Sequence, residues 1–112
     1  MPFKDEWAED PSVQSMRRIF AQMERAQKQF LSDSGIGEFD PKLRDVRMEA
    51  RVLFDRLWPE AARRGLVPGE ETAGLFYLHC FCWTLGQKGF EVRSQVFHYD
   101  ERIVQFLKEV LG

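Results

Sequence analysis

Residues 75–85, LFYLHCFCWTL, decide how this chain folds. Wound at 3.6 residues per turn, the stretch places Leu75, Leu78, Cys82 and Leu85 on one side. Phe76, Cys80 and Trp83 fall on a second side, and Tyr77 and Phe81 on a third. A helix that is apolar around its whole circumference is either central to its fold or covered by a partner subunit. Eleven residues broken by His79 and Thr84 are too few for a bilayer span, which needs about 20. The stretch therefore predicts a buried helix over 70–88, opened by Pro68-Gly69-Glu70-Glu71 and closed by Gln87-Lys88-Gly89.

Three amphipathic segments surround it. Asp10-Pro11-Ser12 is a helix start, and Val13, Met16, Ile19, Phe20, Met23, Ala26, Phe30 and Leu31 then form one apolar stripe over 10–31. A loop containing Gly35 and Gly37 follows. Asp40-Pro41 repeats the start signal for a helix over 40–64. Its stripe is Leu43, Val46, Ala50, Leu53, Phe54, Leu57 and Ala61, with a kink or break expected near Trp58 because of Pro59, and closure at Gly65. Residues 90–99 read as a short irregular segment, helical or extended. Asp100 then caps a helix over 100–111 with Ile103, Val104, Phe106, Leu107, Val110 and Leu111 on its stripe. Four helices with short links predict one all-α domain over residues 1–112, a four-helix antiparallel bundle around a hydrophobic third helix, preceded by an arm at 1–9.

Composition sets the boundaries on function. The 112 residues are 44% hydrophobic and 30% charged, with a net charge of −2, so a polybasic nucleic-acid binder is excluded but a local basic face is not. Ten Phe, three Trp and two Tyr are many rings for so small a domain and suggest a dense core, an apolar partner surface, or both. The acidic start MPFKDEWAED resembles neither an export signal nor a transit peptide, and Cys80 and Cys82 read as reduced thiols, which makes the cytoplasm the expected location.

Four constellations could carry function. His79, Cys80, Cys82 and His98 have zinc-ligand chemistry, but residues 80 and 82 project about 200° apart on a helix and cannot grip one ion, so no metal is expected. Neither histidine has a Glu three residues before it, which argues against a di-iron or haem bundle. With no glycine-rich phosphate loop either, no cofactor is expected. Arg93-Ser94-Gln95-Val96-Phe97-His98, an arginine shortly before a histidine near the last helix, resembles the motif of the HEPN ribonucleases. That resemblance implies a dimer in which paired Arg93 and His98 cleave RNA without metal, His98 as general acid or base and Arg93 stabilising phosphate charge. Arg44, Arg47 and Arg51 form a basic flank on the second helix, within a segment of seven basic and four acidic residues, and could meet phosphates. Lastly Phe3, Trp7, Trp58, Tyr77 and Trp83 are candidate aromatic anchors for a protein partner or a second copy of the chain. The expected role is a non-enzymatic interaction or accessory subunit that self-associates. The rivals are a metal-independent ribonuclease and a nucleic-acid-binding accessory subunit.

Overall fold

The computed structural model describes residues 11–37, 40–90 and 99–112, the side chain of Glu71 excepted. Among these the chain forms α1 (Pro11–Ser34), α2 (Pro41–Arg63), a single 3-10 turn (Glu70–Thr72), α3 (Ala73–Gln87) and α4 (Glu101–Leu111). It is an all-α bundle. The expected arm at 1–9 lies outside the described residues, as do 91–98 within the segment before α4.

The helix ends show why the chain breaks where it does. Asp40 and Asp100 cap α2 and α4, each accepting from the backbone N–H two residues on at 2.9 Å. α1, α2 and α3 all stop at a glycine with positive φ, Gly35, Gly65 and Gly89. The residue after each glycine donates back to the last turn, Ile36 to Leu31, Leu66 to Ala61 and Phe90 to Leu85, at 3.0–3.1 Å. Ile36, Leu66 and Phe90 then pack against the core, so each stop also closes an apolar contact.

α2 does not break at Pro59; it runs unbroken to Arg63. Pro59 and Asp55, whose carbonyl loses its helical donor to the proline, are both solvent-exposed residues. Phe54, Leu57 and Ala61, buried before and after it, hold both halves to the same core.

α3 is the hub. Phe76, Cys80, Phe81 and Leu85 are fully buried, and α1, α2 and α4 all contact it. Its register against α1 is co-directional: Glu70 meets Ser15 and Arg18, Gly74 lies against Gln22, Tyr77 reaches Gln27, and Phe81 meets Phe30. Gly74 allows this approach, since a Cβ there would stand 3.2 Å from the Gln22 carbonyl oxygen. α2 runs the other way, with Trp58 against Phe76, Phe54 against Tyr77 and Glu49 bonded to Lys88. α4 closes the remaining side through Phe106 on Phe76, while Arg64 ties it to α2 by bonding Glu109 at 2.7 Å.

Two stripe residues depart from expectation: Val110, in the last turn of α4, is exposed, and so is Met16 on α1. Met16 is 52% exposed because α3 begins opposite Gln22, more than a turn further along α1.

Candidate interaction surface

The zinc-like cluster resolves into a structural device. His79 is buried, and its Nδ1 lies 2.8 Å from the Leu75 carbonyl oxygen while its Nε2 accepts from the Asp100 backbone N–H at 3.0 Å. A carbonyl only accepts and an amide N–H only donates, so the imidazole is the neutral tautomer protonated on Nδ1. Burial lowers its pKa, against smaller opposing effects of the Leu75 carbonyl and the Asp100 carboxylate. The ring also meets Tyr99 edge-on. His79 thus fixes the start of α4. Cys80 and Cys82 are buried thiols pushed up to about 12 by desolvation, far from a reactive thiolate. Among the described residues, no three His, Cys, Asp or Glu side chains converge on a point that could hold a metal.

The basic flank divides. Arg44 is exposed, but Arg47 and Arg51 turn into the cleft between α1 and α2 with Phe20, Gln27 and Tyr77. The Arg51 guanidinium stacks 4.0 Å above the Phe20 ring, and its Nε stands 3.5 Å from Asp55. Only one of the three arginines therefore projects freely from the helix, and the flank does not form a continuous basic stripe.

The aromatic candidates divide too. Tyr77 is in the core rather than on an open face, its hydroxyl donating to Gln27 at 2.7 Å. Trp58 is half-buried, packed on Phe54 at 5.0 Å. Trp83 is half-buried and shared by two surface hollows, one leading to α2 and one to α4. Phe3, Trp7, Arg93 and His98 lie outside the described residues.

Among the described residues, the most exposed large apolar side chains are ones the stripe on α2 leaves out: Met48, 60% exposed, and Val52, 65%. At 100° per residue each projects about 160° from the mean direction of the buried stripe, one on either side of the outward pole of the helix. They border a hollow of about 360 Å³ with Glu49, Leu53 and Arg56. Glu49 and Leu53 also line the next hollow, which Trp83, Thr84, Gln87 and Leu111 complete. The two hollows adjoin along Glu49 and Leu53, the first apolar and carrying Met48 and Val52, the second mixed, with Trp83 and Leu111 beside polar Thr84 and Gln87. The larger hollow beyond Trp83 is bordered by Phe90 and Tyr99, which flank residues 91–98. The α2 side is bounded entirely by described residues.

Sequence signals for Met48 and Val52 existed: two apolar residues four apart, opposite the stripe. No protein-family model matches the chain, and no curated protein or solved structure matches it either. No helix among the described residues is long and apolar enough to cross a membrane.

Proposed function

We propose that this chain is a small, non-enzymatic interaction protein of the cytoplasm, an accessory subunit that works as a homodimer. One observation carries the reading. Met48 and Val52 stand on the outward pole of α2, 60% and 65% exposed, where a solvated helix would carry charged residues. Single exposed apolar residues are ordinary, but this pair shares a hollow with Leu53, which also borders the neighbouring hollow of Trp83 and Leu111. An apolar centre with an aromatic at one end and charges at its edge has the make-up of a protein contact surface.

Light scattering across a concentration series tests the reading. The expected result is a weight-average mass that rises from the 13.2 kDa of one chain toward twice that value. A contact centred on two apolar side chains is small, so the rise should come between about 10 μM and 1 mM. A constant 13.2 kDa throughout would overturn it.

A further inference from the structure

We infer that two copies of the chain meet through α2, antiparallel about a two-fold axis level with Ala50. This inference rests on the self-association proposed above and adds the face and the orientation.

In a two-fold contact each residue i meets residue j of the other copy while j meets i, so the surface must match itself after reversal. The outward pole of α2 does so. Met48 and Val52 straddle position 50 by two residues on either side. Arg44 and Asp55 flank the stripe on one side, Asp45 and Arg56 on the other, and all four residues are exposed. Each flanking pair is eleven residues apart, about three turns or 16.5 Å along the axis, with its midpoint within half a residue of position 50.

Reversing one helix against another therefore superposes three matches at once. Met48 packs on Val52 twice, Arg44 faces Asp55 twice along one edge, and Asp45 faces Arg56 twice along the other. In antiparallel helix pairs each edge meets its own counterpart, and flanking charges of this kind bear on partner choice. A parallel pairing in register would join opposite edges instead, Arg44 beside Asp45 and Asp55 beside Arg56 of the other copy. Exchanging charge at positions 45 and 56 separates the two, because in a parallel mixture the introduced charges would face Arg44 and Asp55 with like sign and only the antiparallel pairing is recovered. Arg56 has no ion-pair partner among the described residues, and Asp55 is held only by the long 3.5 Å contact to Arg51, so the edge charges are available. In this arrangement Arg44 serves protein rather than phosphate.

Charge exchange tests the pairing. Asp45→Arg alone would set the introduced guanidinium against Arg56 of the other copy at both edge positions. Arg56→Asp alone would set the introduced carboxylate against Asp45 in the same way. At equal concentration each single variant should give a weight-average mass below that of the native chain, its dissociation constant raised at least about tenfold. In an equimolar mixture, positions 45 and 56 are both basic on one copy and both acidic on the other, so opposite charges meet again and the dimer mass should be recovered. Recovery would also show that both variants are folded. Single variants that dimerise like the native chain would overturn the α2 pairing and leave self-association standing. A mixture as monomeric as its components would overturn the pairing as well. A native chain that never dimerises would overturn both.

Discussion

The bond between His79 and Asp100 makes stability depend on pH in a direction that can be derived. Both imidazole nitrogens are engaged in the native state, Nδ1 to the Leu75 carbonyl and Nε2 to the Asp100 N–H. A second proton would have to displace the amide from Nε2, inside a site from which water is largely excluded. The folded pKa therefore lies below the ordinary value near 6.5. As pH falls through about 6.5, the unfolded chain takes up a proton at this position while the native chain does not. Unfolding then becomes easier by up to about 1.4 kcal/mol per pH unit, until the lowered native pKa is reached. His79→Gln removes the titration and keeps an acceptor for the Asp100 amide. Urea unfolding of both proteins at pH 7.5, 6.5 and 5.5, followed by tryptophan fluorescence, isolates the effect, because His98 and the carboxylates are common to both. From pH 7.5 to 5.5 the native chain should lose up to about 1.4 kcal/mol more than the variant. Two curves of equal pH slope would show that His79 is not held as a neutral acceptor, and the reasoning would fail.

Gly65→Ala and Gly86→Ala should act in opposite directions. Neither added methyl meets any atom within 4 Å, but Gly65 has φ +74°, so alanine there should cost about 1 kcal/mol, whereas alanine in the exposed last turn of α3 should add about 0.5–1 kcal/mol; calorimetry decides. Glu70, held near a pKa of about 2 by hydrogen bonds from Arg18 and Ser15, adds stability at neutral pH that is lost as pH falls from about 4.5 toward 2. Glu70→Gln should lower the melting temperature at pH 7 and flatten its decline in acid, and an unchanged acid slope would count against the clamp. Phe81→Ala empties a fully buried site against Phe30 and Tyr77 and should cost about 3–5 kcal/mol in urea unfolding. The native chain should leave single-stranded RNA uncleaved with chelator present; cleavage abolished by Arg93→Ala or His98→Ala would instead establish the ribonuclease reading.

The helices were legible because their signals are local. Asp-Pro starts, a glycine at each stop and the all-round apolarity of residues 75–85 located all four helices to within about three residues. What escaped depends on partners far apart in sequence. Glu70 reads as an acid placed for a helix dipole, yet its partners are Ser15 and Arg18, more than 50 residues away. Tyr77 and Trp83 both belong to an apolar helix; only the position of α1, which brings Gln27 to the Tyr77 hydroxyl, decides that Tyr77 is inside. Arg47 and Arg51 look like an exposed flank until α1 supplies Phe20 beneath the Arg51 guanidinium. Met48 and Val52 differ from these. Their outward placement follows from helical spacing alone, but the buried stripe draws the eye first, and the significance of what lies opposite it emerges only with the burial of Phe54 and Leu57.

Methionine oxidation, read residue by residue in the unmodified protein, tests most directly whether the outer face of α2 is the working surface. Met16 on α1 and Met48 on α2 are comparably exposed, at 52% and 60%, while Met23 is buried. Under dilute hydrogen peroxide, Met16 and Met48 should form sulfoxide at similar rates and Met23 slowly, since attack follows exposure. As protein concentration rises toward 1 mM, Met48 should become several-fold protected while Met16 continues to oxidise at its dilute rate. A ratio of Met48 to Met16 oxidation that stays constant across that range would contradict self-association through α2.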